Sequence, residues 1–336
     1  MLVTLTGGTG FVGAHTTAAL VRAGHRVRLL VRDPAAVPTA LDPLGVDLSA
    51  VDAEVGDATD ETAAARAVRG ADTVLHAAAV YSFDRRRRAE MLRVNTRATE
   101  VVLAAARRSG AARIVHVSST AALFGPGVRV VDERTPPGTS REPYAATKSA
   151  SEAIAWAHQR AGAPVVVSRP PALLGPHDPK TGDQTRRLRD TVRGIMPVWP
   201  SGALQIGDVR DTARLHTALL EGRARGAHFG PGHLVTTPEY VAAAREASGR
   251  ALPAVFLPAA LVTPVGRLVD LLQPVWPWHI PAAHGAITTA AASVSVAPAA
   301  STLGLAPRPF ADTVADTLDW LVDTGRLHPR TRTPVT

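Results

Sequence analysis

The 336-residue chain predicts an α/β fold: a doubly wound parallel sheet with a smaller, mostly C-terminal lobe. Three observations carry that prediction. The chain opens on a strand, a glycine turn and a helix. Up to residue 169, short apolar runs alternate with helical patterns, the order that builds a parallel sheet. After Pro170 the alternation loosens into proline- and glycine-rich segments, which fit a separate lobe.

The opening unit is Leu2-Val3-Thr4-Leu5, then Thr6-Gly7-Gly8-Thr9-Gly10-Phe11-Val12-Gly13, then a helical pattern from Ala14 to Ala23. Glycines at 8, 10 and 13 fit a dinucleotide fingerprint: one permits a tight turn, one lets backbone approach a pyrophosphate, and one lets helix and strand pack closely. The phosphates would face the free N–H groups and positive dipole end of the helix. Val27 to Val31 reads as the second strand. Its end carries Arg32 and then Asp33, and an arginine there suits a ribose 2′-phosphate, so NADP(H) is expected in preference to NAD(H).

Val51 to Val55 is the third strand, running into Gly56-Asp57-Ala58, and an alanine-rich helix follows as far as Gly70. Thr73 to His76 is the fourth. It leads into Ala77-Ala78-Ala79, small enough for a cofactor to lie at the strand's carboxyl end, where ligands of open α/β sheets bind. His76 itself reads as a packed structural residue. Arg85 to Arg88 read as an exposed helix start, and helix residues run from Asn95 to Arg108. Strand Ile114 to Val117 ends in Ser118-Ser119-Thr120, which places hydroxyls on the ligand face. Tyr144 and Lys148 then share one face of a helix running to Gln159. There an ammonium can depress the phenol's pKa and reach a ribose.

In the second half, Ala227-His228-Phe229 and Leu234-Val235-Thr236 read as returns to the sheet. Thr237-Pro238-Glu239 reads as a helix start with Thr237 as its cap. Trp276-Pro277-Trp278 reads as an aromatic knot in the lobe core. Phe310 to Leu327 reads as an amphipathic helix with Val314, Leu318 and Leu321 on one face. The expected organisation is a dinucleotide-binding domain over 1–169 with sheet returns near 206–236, a lobe over 170–205 and 237–327, and a tail over 328–336.

Composition narrows the function. A chain 46% hydrophobic can bury a large core. Without cysteine it has no disulfide framework and no thiol chemistry. The first strand begins at Leu2 with no basic lead or cleavage site, so a cytoplasmic protein is expected. The net charge of +8 is carried almost wholly by arginine, with lysine only at 148 and 180. No aromatic interleaving or recognition helix accompanies it, so no nucleic-acid partner is expected. The charge-free stretches Ala251 to Gly266 and Gly285 to Pro307 are respectively proline-broken and lacking in bulk, so no integral membrane span is expected. The twelve histidines fall in no ligand spacing, and no metal site is expected.

Taken together, these residues resemble the extended short-chain dehydrogenase/reductases of the NAD-dependent epimerase/dehydratase superfamily, which have a Rossmann domain and a smaller substrate lobe. The segment from Thr6 to Gly13 is similar to that family's TGxxGxxG, and Tyr144 to Lys148 to its YxxxK. Arg93-Val94-Asn95-Thr96, Arg169-Pro170-Pro171-Ala172-Leu173-Leu174-Gly175-Pro176 and Gly207-Asp208-Val209-Arg210-Asp211 are similar to further family segments. The resemblance implies cofactor contacts at Gly7, Thr9, Gly10, Phe11, Val12, Gly13, Arg32, Asp57, Ala58, Ala77, Ala78, Ala79, Asn95, Ser118, Tyr144, Lys148 and Pro170. It implies Tyr144 and Lys148 as catalytic residues. Alignment through Gly125 puts Thr120 on the catalytic hydroxyl, with Ser119 as the alternative.

Within the family the chain is most similar to dihydroflavonol-4-reductase-like and hydroxysteroid-dehydrogenase-like members, with Val31-Arg32-Asp33-Pro34 as their NADP-binding strand end. Sugar-nucleotide epimerases and dehydratases carry an asparagine where this chain has Ala172. The resemblance thus implies a carbonyl/alcohol oxidoreductase acting on a mid-sized, largely apolar small molecule. A nucleotide-sugar epimerase or dehydratase and a non-catalytic NAD(P)-binding regulator are the alternatives, and a homodimer is the assembly it allows.

Overall fold

A computed structural model describes residues 1–80, 88–140, 142–262, 264, 291 and 293–328. The elements run β1 (Leu2–Thr6), α1 (Phe11–Arg22), β2 (Arg26–Val31), α2 (Ala36–Leu41), β3 (Val51–Val55), α3 (Glu61–Val68), β4 (Thr73–His76), α4 (Arg88–Arg108) and β5 (Arg113–Val117). They continue with β6 (Val130–Val131), α5 (Pro143–Arg160), β7 (Val165–Arg169), β8 (Ala172–Leu174), α6 (Asp183–Val192), β9 (Val198–Pro200), β10 (Ala203–Asp208) and α7 (Val209–Glu221). Last come β11 (Gly226–Phe229), β12 (His233–Thr236), α8 (Thr237–Ser248), β13 (Val255–Leu257), β14 (Ser295–Val296) and α9 (Phe310–Asp323).

Seven strands form one parallel sheet in the order β11-β7-β5-β4-β1-β2-β3. The winding reverses between β1 and β4, and a crevice opens at the carboxyl ends of strands at such a reversal. Both faces of the inner strands are covered, which is why these strands are mostly apolar, whereas the edge strand β3 is largely exposed. Val3, Leu5, Leu29 and Val115 pack with Leu20 of α1 and Leu215 and Leu219 of α7. Val74, Ile114, Val165 and Val167 pack on the other face with Val101 and Val102 of α4 and Ala155 of α5.

Pro170 and Pro171 end β7, since proline cannot donate to a ladder. Ala172–Leu174 pairs instead with β10, which also pairs antiparallel with β12. This corrects the expected second return: Ala227 to Phe229 does join the main sheet beside β7, whereas Leu234 to Thr236 lies in a separate three-stranded sheet. The lobe core gathers Leu174, Leu188, Trp199, Ile206, Tyr240, Leu318 and Leu321. The C-terminal helix stops at Asp323, and Leu327 is buried after a turn. A second correction concerns α8, which is capped by Thr236. Its side chain and that of Glu239 form a reciprocal capping box, and Thr237 is the first helical residue.

Arg85 to Arg87, the Trp276-Pro277-Trp278 knot and positions 329–336 lie outside the described residues; Arg88 is the first residue of α4. Among the described residues no helix is long and apolar enough to cross a membrane.

Candidate active site

The glycine turn is shaped by two close approaches. Gly7, not Gly8, takes the left-handed backbone (φ 80°), and a Cβ there would lie 2.8 Å from the Ala78 nitrogen. A Cβ on Gly13 would collide with the Gly7 carbonyl, so α1 starts hard against its own turn. The Gly10 N–H donates to that carbonyl at 3.0 Å. Gly10 caps α1 without a side-chain bond, and no acid stands in the first turn. The first-turn N–H groups and the positive dipole end are therefore uncontested, which fits a pyrophosphate. Gly7, Thr9, Gly10, Phe11 and Val12 are partly exposed, whereas Gly13 is buried.

Ala77 and Ala78, also partly exposed, continue this wall, and Ala79 is exposed. The Ala78 N–H donates to the Thr6 hydroxyl at 3.2 Å. His76 lies behind, its Nδ1 2.8 Å from that hydroxyl and its Nε2 3.2 Å from the Thr99 hydroxyl. Burial, with a smaller push from Lys148, takes its pKa down to about 3, so it is a neutral brace. Asn95 is another brace: its carboxamide accepts from the Val80 N–H at 2.7 Å and donates to the Val80 carbonyl at 3.0 Å and the Thr147 hydroxyl at 3.2 Å. It holds the segment after β4 to α5.

At the far end of the crevice, Arg32 is exposed where β2 stops. The Gly56 N–H donates to the Val31 carbonyl at 2.8 Å and keeps the ends of β2 and β3 together. Asp57 accepts from the Thr59 N–H at 2.8 Å and hydroxyl at 2.7 Å. Partial burial raises its pKa, but the Thr59 bonds and the charges of Arg32 and Arg93 outweigh that and leave it lowered. Ala58 is partly exposed beside it.

The third cluster stands at the carboxyl end of β5. Glu142 caps α5 by accepting from the Tyr144 and Ala145 N–H groups at 3.0 and 2.7 Å, with Pro143 opening the helix. This aims Tyr144 at the strand end, where it hydrogen-bonds to Ser119. Ser119 in turn caps the 3-10 turn Thr120–Leu123 by accepting from the Ala121 N–H at 3.2 Å. Thr120 is buried beside it, its N–H donating to the Pro170 carbonyl at 2.9 Å. Burial raises the Tyr144 pKa above that of an ordinary phenol, the Ser119 bond opposes this and Glu142 adds to it. Lys148, expected to depress the phenol, directs its amine to the Val117 carbonyl at 3.0 Å. Its own pKa falls to about 8, because burial lowers it and Glu152 only partly restores it.

Two buried residues to which the sequence reading gave no role in the site hold this cluster. Glu152 accepts from the Ser118 hydroxyl at 2.5 Å, so that side chain points at the carboxylate. Its other oxygen takes Arg169 Nη2 at 2.6 Å and Nε at 3.1 Å, and Trp156 Nε1 at 3.0 Å. Arg169 also donates to the Asp132 and Thr135 carbonyls at 2.9 and 3.0 Å and lies over the Phe229 ring. One signal was available: Arg169 ends a strand that begins with three buried valines, and a charge in such a place needs a partner.

Residues 3–233 match the model of the NAD dependent epimerase/dehydratase family. The chain is 29% identical over 279 residues to sterol demethylase protein B of Methylococcus capsulatus, covering 81% of this chain and 82% of that protein. It is 30% identical over 244 residues to a 3 beta-hydroxysteroid dehydrogenase/Delta 5-->4-isomerase of Mycobacterium tuberculosis, covering 69% of this chain and 60% of that one. Among solved structures, gox2253 superposes with a TM-score of 0.79 at 28% identity, covering 97% of this chain and 99% of that one. The matched segment contains the glycine turn, all of the seven-stranded sheet but Leu2, and the Tyr144/Lys148 helix. The chain accordingly belongs to the NAD dependent epimerase/dehydratase family and is an NAD(P)-dependent oxidoreductase.

Proposed function

We propose that the protein interconverts a carbonyl and a secondary alcohol on a mid-sized, largely apolar substrate, using NADP(H). The observation that carries this reading is the Tyr144–Ser119 hydroxyl pair at the end of β5, one strand from β4, whose end meets the glycine turn. The nicotinamide, when bound, gives or takes the hydride. Tyr144, protonated at neutral pH because burial raises its pKa, gives a proton to the substrate oxygen in reduction and takes it back in oxidation. Ser119 orients that oxygen, and Thr120 is the neighbouring hydroxyl that family alignment favours for the role. An ammonium has three donors, of which the Val117 carbonyl takes one; the others suit ribose hydroxyls.

Arg32 supports NADP(H), since its exposed guanidinium at the end of β2 suits a 2′-phosphate. Ala172, at the start of β8, supports an apolar substrate. A nucleotide sugar brings a diphosphate, whose burial needs paired donors, and alanine has none. A second reading, a nucleotide-sugar epimerase or dehydratase, draws on α6. This helix carries Arg186, Arg187 and Arg189, and Arg187 has no ion-pair partner among the described residues. The deciding experiment is a panel of aromatic and alicyclic ketones and of uridine- and thymidine-diphosphate sugars, followed at the reduced nicotinamide band. Reduction of apolar ketones with NADPH ahead of NADH is expected. Conversion of a nucleotide sugar without ketone reduction would overturn the reading.

A further inference from the structure

We propose that Glu152 is a positioning residue of this site, the carboxylate that keeps the Lys148 amine in its charged form. The proposal rests on the role given above to Lys148. Lys148 and Glu152 stand one helical turn apart on the buried face of α5. Lys148 is 7% exposed and Glu152 is fully enclosed. Both reach the same strand end: the lysine amine donates to the Val117 carbonyl at 3.0 Å, and the hydroxyl of the next residue, Ser118, donates to Glu152 at 2.5 Å. The carboxylate is thereby held by Ser118, Trp156 and Arg169 one turn of α5 from the lysine.

An ion pair with Arg169 does not by itself account for a carboxylate here. Arg169 is also held by the Asp132 and Thr135 carbonyls and the Phe229 ring, and buried ion pairs contribute little net stability over apolar packing. A buried ammonium, by contrast, is strongly disfavoured without an anion. The groups facing Lys148 come from several elements. Tyr144 shares α5, His76 and His116 come from β4 and β5 and are held neutral by burial, and Asn95 of α4 has no charge. Arg169 of β7 is a cation, and Glu142 is engaged with the backbone at the start of α5. Glu152 is the anion that acts on Lys148, opposing the effect of burial and leaving the amine near 8.

The chain offers an unusually direct test, because its only lysines are Lys148 and Lys180. Protein labelled with carbon-13 at the lysine ε-carbon gives two signals, assigned with Lys180→Arg, and each is titrated by NMR without cofactor or substrate. In Glu152→Gln the Lys148 midpoint should fall by about one pH unit, the lower end of the range for loss of an opposite charge a helical turn away. Lys180 should not move, and Glu152→Asp should restore the Lys148 midpoint. The alkaline limb of kcat should move down in parallel, since the ammonium is then lost at lower pH. Should Glu152→Gln fail to fold with Arg169 left unpaired, Glu152→Gln/Arg169→Met removes both charges, and a smaller shift in the same downward direction is expected, because the Arg169 cation is lost as well. An unchanged Lys148 midpoint in a folded variant overturns the proposal. A shifted midpoint in a protein that turns over none of the panel supports it and counts only against the proposed substrate reaction.

Discussion

Tyr144 is placed by its helix start and made acidic or basic by its surroundings, and the two influences differ in origin. The Glu142 cap and Pro143 set its direction locally, whereas the protein mass around the hydroxyl raises its pKa more than any nearby group lowers it. The phenol therefore keeps its proton at neutral pH. Tyr144→Phe should keep the ring and cofactor affinity while lowering turnover by roughly 10²–10⁴-fold, the usual cost of losing a general acid. The same assay ranks the two candidate hydroxyls. Ser119 meets the phenol in this structure, so Ser119→Ala should cost more turnover than Thr120→Val; the reverse order would return the role to Thr120.

At the scale of the element, local chemistry explains most boundaries. The end of β7 follows from Pro170 and Pro171, which cannot extend a ladder, and the start of α8 from a capping box one residue earlier than Thr237. Thr236 and Glu239 are three apart, the spacing that lets each side chain serve the other's N–H. Thr236→Ala should therefore destabilise the protein by about 1 kcal/mol, a typical cost for losing a cap. Urea unfolding would read this as a lower midpoint at unchanged slope. No change in midpoint would show that the packing of α8 in the lobe core, rather than its cap, decides where it starts.

Across the whole molecule, burial of histidine sets the response to acid. Desolvation lowers His15 to about 4 and His76 and His216 to about 3, and takes His116 well below its ordinary value. Each has a folded pKa below its unfolded value near 6.5. Between those limits the unfolded chain binds protons that the folded chain refuses, so stability is full above pH 6.5 and is lost as pH falls towards 3–4. A tenfold difference in proton affinity between the folded and unfolded chain corresponds to about 1.4 kcal/mol, so the histidines together outweigh Glu142, whose raised pKa acts in the opposite direction. Tm should fall steeply from pH 6.5 to 4. A flat profile over that range would mean that these rings reach water more readily than their burial implies.

The alternating strands and helices, the glycine turn, the Arg32 strand end and the Tyr144/Lys148 pair were legible in the sequence, because each depends on neighbours within a turn or a strand. Tertiary structure decided what depends on residues far apart in the chain. Ser118 and Arg169 meet Glu152 across 34 and 17 residues, and only the fold brings a strand end, a helix face and a second strand end to one carboxylate. The same holds for Asn95, whose bonds to Val80 and Thr147 tie the segment after β4 to α5. It holds too for Ser119 and Thr120, adjacent in sequence, of which Ser119 hydrogen-bonds to Tyr144 while the Thr120 N–H is tied to the Pro170 carbonyl. Periodicity and motif spacing report which face of an element is buried. The enclosure that sets a pKa, and the partner that satisfies a buried charge, are properties of packing between elements.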